Sequence, residues 1–233
     1  MQIRRLGRSA VVAAALMLGA GAASALTVPY TEDFTGGANG WTNADNTGPL
    51  TAIGSGGPDG GAYVTTNFNY FGFSSPFGGG PVIFRGQDEN NASSLSFVGD
   101  WIAGGVGELS IWVRQNTTET LTYFLRVATT FNFPGAVINS TTAVAPNTWT
   151  KVTFDIDALN PLCFPEGTTC ATALASVAHV QFGSNAPASL VALNQAWTLD
   201  LDKVSVGVPE PGTVLLLGSG LAGLACLGRR RKA

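Results

Sequence analysis

Between residues 26 and 208 apolar side chains recur at every second position, and no stretch sustains the 3.6-residue spacing of an amphipathic helix. Leu95 and Phe97 show the pattern, as do Leu109, Ile111 and Val113, and Leu121, Tyr123, Leu125 and Val127. Val152, Phe154 and Ile156 repeat it, followed by Ala178, Val180 and Phe182 and then by Trp197, Leu199 and Leu201. In the run around Val180, the alternation puts His179 and Gln181 on the wet face. Gly, Pro, Asn or Asp bounds each run, which is the punctuation of half-buried antiparallel strands. The expected fold is therefore all-β: an antiparallel, jelly-roll-like β-sandwich over 26–207. Only residues 172–177 suit a short helical turn. Three stretches read as loops from their turn chemistry: the Gly-rich segments 54–61 and 72–80, and the polar segment 132–148. No Gly-rich stretch opens a helix with phosphate-loop spacing.

Charge narrows the partners. Charged residues are only 12% of the chain, and seven of its twelve basic residues sit at the two ends. The span 26–208 holds five basic and fourteen acidic side chains, a balance of −9. Such a surface repels phosphate, so electrostatic binding of nucleic acid or anionic lipid by this span is excluded. The single histidine, His179, rules out a His-rich metal cage.

Both ends read as addresses. Arg4, Arg5 and Arg8 precede an uncharged apolar run, and Ala23-Ser24-Ala25 supplies small residues for signal peptidase, so 1–25 reads as a signal peptide for the export translocon, cut after Ala25. The alternative is an uncleaved anchor, but the run is short for spanning. At the far end, 208–233 opens with Pro209, Glu210 and Pro211, continues as the uncharged span 213–228 and closes on Arg229, Arg230, Arg231 and Lys232. At about 1.5 Å per residue a helix over that span reaches about 24 Å, slightly under a typical bilayer core. The basic cluster marks the cytoplasmic end. The arrangement is type I, with the domain outside and a C-terminal transmembrane helix.

Pro-Glu-Pro, a short Gly/Ala/Leu-rich span and a terminal Arg cluster, in that order at the C-terminus, resemble the PEP-CTERM sorting signal, also known as the ice-binding-protein C-terminal motif. The resemblance implies a Gram-negative, exopolysaccharide-producing bacterium and an exosortase-type transpeptidase that recognises Pro209, Glu210 and Pro211. It implies delivery from an inner-membrane-anchored precursor to the envelope, surface or biofilm matrix. It says nothing about the ligand of the domain it carries.

The order of landmarks in the middle also resembles laminin-B-type and galactose-binding-like jelly rolls. The landmarks are Glu32-Asp33-Phe34, Gly40-Trp41-Thr42, Gly57-Pro58-Asp59-Gly60-Gly61, Phe97-Val98-Gly99-Asp100-Trp101, Trp149-Thr150-Lys151-Val152 and the closing Leu199–Val204 segment. The laminin Cys pattern is missing. The resemblance implies a non-catalytic jelly roll used for adhesion or glycan contact.

Candidate chemistry is sparse. Cys163 and Cys170 lie close enough in an exported chain to form a disulfide. Asp200 and Asp202, two apart on a strand, share a face. Glu32 and Asp33 would meet them if the terminal strands adjoin, giving hard oxygen ligands for a structural Ca²⁺; a solvated acidic edge is the competing reading. Fourteen acids always permit some pair, so a glycosidase dyad has no specific signal. A serine triad would need His179, and no Gly-x-Ser-x-Gly elbow is present. Trp41, Trp112, Trp149 and Trp197 fit core or strand positions. Tyr70, Phe73 and Trp101 fall in or beside loops and are candidate sugar-stacking rings, with Asn67, Asn69, Gln87, Asn90 and Asn91 as amide partners; a folded-back loop plug is the alternative for the rings. The sequence thus points to an exported, non-enzymatic binding module for polysaccharide. The alternatives are a structural matrix protein without a ligand and a polysaccharide hydrolase or lyase. Facing carboxylates in a cleft would mark the enzyme, and loop-borne rings beside carboxamides would mark the glycan binder.

Overall fold

The alternating runs become strands that pair across long sequence distances. A computed structural model describes residues 26–74 and 79–208. The signal segment 1–25, the Pro209-Glu210-Pro211 motif, the span 213–228 and the basic cluster 229–232 lie outside the described residues.

Two antiparallel sheets face each other. In the first, β2 (Thr51–Ile53), β3 (Tyr63–Asn69), β11 (Ala196–Gly207), β5 (Glu108–Gln115) and β8 (Thr150–Asp155) lie side by side in that order, and β1 (Tyr30–Glu32) pairs with β11. The second runs β4 (Val82–Gln87), β10 (His179–Ser184), β6 (Leu121–Ala128), β7 (Gly135–Val144) and β9 (Cys163–Glu166). The inner faces carry the expected residues: Leu109, Ile111 and Val113 from β5, Leu121, Tyr123, Leu125 and Val127 from β6, and Leu199 and Leu201 from β11, all fully buried. Each such side chain taken from water contributes about 1.5–3 kcal/mol, which is why alternation alone defines the inner faces. Phe182 of β10 ties the layers together, stacking on Trp41 at 5.8 Å and near-parallel to Phe154 of β8 at 6.1 Å. Gly86 lets this happen, because a Cβ there would stand 2.8 Å from the Trp41 indole.

In β11 the pairing register with β5 shifts between Asp202 and Ser205, and Lys203 takes a left-handed φ of 47°. One extra residue inverts the alternation, as a bulge must. Odd-numbered residues face inward before it, whereas Val204 and Val206 face inward after it.

Two expectations need correction. Leu95 and Phe97 are not in a strand. Residues Ala92–Leu95 form a 3₁₀ turn in which Ser93, Ser94 and Leu95 all have positive φ. The Trp41 indole N–H donates to Ser93 Oγ at 2.8 Å and Ser93 N–H donates to the Asn39 carbonyl, so tertiary bonds hold a backbone that short alternation cannot reveal. Nor is 132–148 wholly a loop. β7 occupies its centre because β6 and β9 supply backbone partners on both sides, and Ala136, Ile138 and Val144 are buried. The short helix appears slightly early, as α1 (Cys170–Leu174), where the Thr169 side chain accepts from Thr172 N–H. A second, α2 (Ala188–Val191), precedes β11.

The Cys163–Cys170 disulfide is present and links the start of β9 to α1. Among the described residues no helix is long and apolar enough to cross a membrane.

Candidate functional site

The outer face of the second sheet departs from an ordinary wet sheet face. Cross-strand register lines up Arg85, Gln181, Arg126, Val137 and Phe164 in one row and Gln87, His179, Ala128, Gly135 and Glu166 in the next. Alternation puts His179 and Gln181 on this outward face, as expected, but they are not wet: they are 2% and 0% exposed. The cover is the β6–β7 connection, residues 129–134, which folds back across the sheet. Asn132 N–H donates to the Thr129 carbonyl and Thr129 N–H to the Pro134 carbonyl, with Asn132 itself at a φ of 60°.

Arg126 organises the polar layer beneath that loop. Its Nε donates to Glu166 Oε2 at 2.7 Å, its Nη1 to Asn132 Oδ1 at 2.8 Å and Gln181 Oε1 at 2.9 Å, and its Nη2 to the Asn132 carbonyl at 2.7 Å. Gln181 Nε2 closes the network onto Asn132 Oδ1 at 2.9 Å. Charge-assisted bonds of this kind are what allow a guanidinium to sit half-buried on a sheet. Arg85, one strand over, donates from Nε to the Ala44 carbonyl; burial and then the like charge of Arg126 lower its pKa below the ordinary arginine value.

At the near end of the same face, His179 Nε2 lies 2.8 Å from Glu89 Oε2 and 3.1 Å from Asp88 Oδ1. Burial alone would raise the Asp88 carboxyl. Hydrogen bonding with Glu89 and with Thr130, and the neighbouring imidazole, hold it below the usual carboxylate value.

Around this polar layer stand three aromatic rings. Phe131 is 88% exposed, Phe133 59% and Phe164 51%. Phe131 and Phe133 flank Asn132 on the folded-back loop, and Phe133 rests over Gly167, where a Cβ would collide with the ring. Exposed rings normally go inside, so three beside a hydrogen-bonded guanidinium–carboxamide array form a surface suited to a ligand with apolar faces and polar edges.

The rings expected from sequence are elsewhere. Tyr70 and Trp101 are fully buried core residues, not a binding face. The Tyr70 hydroxyl bonds Ser184 Oγ at 2.7 Å, and the Trp101 indole N–H donates to the Phe97 carbonyl at 2.8 Å. A ring with one polar atom that finds an internal partner loses nothing by burial. Phe73 is half-buried in the turn after Tyr70, its N–H donating to the Tyr70 carbonyl at 2.9 Å. Trp41 and Trp197 are in the core, but Trp112 and Trp149 lie half-buried on the outer face of the first sheet.

The terminal strands do adjoin, Glu32 facing Val204, but among the described residues no three of the four carboxylates bring their oxygens within 4.8 Å of one another. Asp200 is committed to Arg114 at 2.7 Å, and the guanidinium is itself held between the rings of Tyr63 and Trp149 at 5.1 and 4.7 Å. Glu32 Oε1 accepts from Phe34 N–H and Asn39 Nδ2, both at 2.9 Å. Glu32 and Asp33 line an open polar depression of about 560 Å³ with Asn39, Asn90 and Asn91, which Asp200 and Asp202 do not reach. Of the Ca²⁺ set expected from the sequence, Asp200 is thus paired with the Arg114 guanidinium. Asp202 is buried under the 54–61 loop, its Oδ1 accepting from Lys203 N–H at 2.7 Å.

Sequence reasoning missed Arg126, Asn132, Phe131, Phe133 and Phe164. Two signals were legible: an arginine at an outward position in the middle of an apolar strand, and Phe-Asn-Phe-Pro in a hairpin connection.

The PEP-CTERM protein-sorting motif matches residues 207–232. No curated protein matches the chain in sequence. Solved structures similar to it include the CBM22-1–GH10 modules of Clostridium thermocellum endo-1,4-β-D-xylanase 10B complexed with xylohexaose (15% identity, 77% of this chain and 28% of that one, TM-score 0.46). The CBM22-1 xylan-binding domain from Paenibacillus barcinonensis is similar at 14% identity over 80% of this chain and 100% of that one, with a TM-score of 0.43. A family 11 carbohydrate-binding module from Clostridium thermocellum shows 11% identity over 79% and 99%, TM-score 0.46. The chain thus spans less than a third of the first of these proteins.

Proposed function

We propose that this chain is an exported, non-catalytic polysaccharide-binding module, with the outer face of the second sheet as its binding surface. The observation that carries the reading is the set of exposed rings, Phe131, Phe133 and Phe164, arranged around the Arg126–Gln181–Asn132–Glu166 network. A pyranose offers an apolar face to a ring and hydroxyls at its edge, and this surface presents partners for both. The PEP-CTERM segment supports an envelope or matrix destination. In this reading signal peptidase removes 1–25, the span 213–228 anchors a precursor with 229–232 inside, and an exosortase-type transpeptidase acts at Pro209-Glu210-Pro211.

Affinity electrophoresis of the purified chain through gels containing neutral and uronic-acid polysaccharides tests the binding reading. Retardation by at least one polymer, abolished in the Phe131→Ala/Phe133→Ala/Phe164→Ala variant, is expected. Unretarded migration in every gel would leave the structural matrix protein as the better account. Alanine replacement of Pro209, Glu210 and Pro211, followed by mass and fractionation in the producing cell, tests the sorting step separately.

A further inference from the structure

We propose that Asp88, Glu89 and His179 form a binding site for one divalent transition-metal ion of the zinc class. This inference does not depend on the glycan reading. The three side chains are brought together by the register of β4 and β10: His179 opens β10 opposite Gln87, the last residue of β4, and Asp88 and Glu89 follow at once in a 3₁₀ turn. One ligand atom from each lies within 4.8 Å of the others, the only such group among the described residues.

The two separations from the imidazole nitrogen suit a small ion. Metal–nitrogen and metal–oxygen bonds of about 2.0–2.2 Å in tetrahedral geometry place neighbouring ligand atoms about 3.3 Å apart. The observed distances from Nε2, 2.8 Å to Glu89 Oε2 and 3.1 Å to Asp88 Oδ1, need only a few tenths of an ångström of spreading. Glu89 is half exposed and supplies that freedom at the solvent side, while His179 is fixed at 2% exposure. One Nε2–H proton is shared by two carboxylates, which otherwise repel each other; a dication satisfies both and leaves the imidazole neutral. A nitrogen donor selects against Ca²⁺ and Mg²⁺, which take oxygen.

The surroundings point the same way. Thr130 Oγ1 donates to the second oxygen of Asp88 at 2.9 Å, orienting the carboxylate as outer partners of metal ligands do. On the far side of the ring, Nδ1 faces Asn132 Oδ1 at 3.4 Å and the Gln87 amide at 3.3 Å. Gln87 is 4% exposed and its Oε1 has no hydrogen-bond partner. Coordination through Nε2 leaves the ring proton on Nδ1, and a half-turn of the Gln87 amide then offers that orphaned oxygen as its acceptor. The buried unpaired atom and the ligand set thus belong to one arrangement.

The test uses tag-free full-length chain in detergent, stripped with chelator and titrated calorimetrically with zinc chloride or calcium chloride; it carries Cys226→Ser, because the sequence has a third cysteine besides the Cys163–Cys170 pair and a thiol is itself a zinc ligand. One zinc ion per chain is expected, with no saturable calcium heat at the same concentrations. Glu89→Gln, at a half-exposed position that does not threaten folding, should weaken zinc by roughly tenfold or more while leaving the far-UV spectrum unchanged. Since the chain has one histidine, imidazole ¹⁵N spectra read the site directly, and zinc should fix the Nδ1–H tautomer. Absence of saturable zinc binding, equal binding in Glu89→Gln, or calcium competing on equal terms would overturn the proposal.

Discussion

Asp202→Asn should stabilise this protein at neutral pH and lose that advantage in acid. Asp202 is 1% exposed, and burial pushes its carboxyl from 3.8 up to about 6; the carboxylates of Asp59 and Asp33 add to the rise, while Lys203 opposes it through its backbone N–H and its ammonium. An acid whose pKa is higher in the folded chain binds protons more tightly there. Its contribution is therefore most favourable below the ordinary carboxylate range and is lost as pH rises from about 4 to about 6. A shift of about two units at about 1.4 kcal/mol each costs about 3 kcal/mol above pH 7, against about 1 kcal/mol at pH 4.5. Asparagine carries no such charge and keeps an oxygen for Lys203 N–H, losing about 1 kcal/mol of charge-assisted bonding. The expected gain is thus about 2 kcal/mol at pH 7.5, shrinking by about the same amount at pH 4.5. Urea unfolding followed by tryptophan fluorescence at pH 4.5, 6.0 and 7.5 measures it, since all other titrating groups are common to both proteins. A variant less stable at pH 7.5, or a difference between the proteins that does not change with pH, would refute the reasoning.

Replacing Cys163 and Cys170 by serine opens a loop of seven-residue separation and should cost about 2.5 kcal/mol, seen as a lower urea midpoint that reductant reproduces in the parent protein. Gly86→Ala drives a methyl to 2.8 Å from the Trp41 indole, so a loss of about 1–3 kcal/mol with a changed near-UV spectrum is expected. Phe133→Ala and Phe164→Ala remove exposed rings; each should leave stability within about 0.5 kcal/mol while weakening glycan retention by about 1 kcal/mol.

Alternation was enough to place five of the strands and the inward residues of each, because burial on a pleated surface has a period of two and little else satisfies it. It failed at Leu95 and Phe97, where three residues carry too little pattern to outweigh the tertiary bonds that hold Ser93 and its neighbours left-handed. It failed again at β7, whose Asn-Ser-Thr-Thr run reads as turn chemistry until β6 and β9 supply the ladder. For the site, the period gave the correct face for His179 and Gln181 and the wrong environment. Nothing local says that residues 129–134 fold back to cover them. Tyr70 and Trp101 reversed in the other direction, since a loop position does not reveal whether a ring's polar atom has a partner inside.

What the chain declares by itself is therefore what short-range chemistry decides: strands from alternation, a disulfide from close cysteines, and a destination from three unlike elements at the C-terminus. Those signals lie along the chain and are read in order. Which residues share the outer face of the second sheet was decided only in three dimensions. Arg126, Asn132, Glu166 and Gln181 come from a strand, a loop and two further strands, and Asp88 and Glu89 meet His179 across about ninety residues of sequence. Hydrogen bonds and ion coordination need atoms about 2–3 Å apart, and only the side-by-side pairing of β4, β10, β6, β7 and β9 in one sheet brings such distant residues to that range.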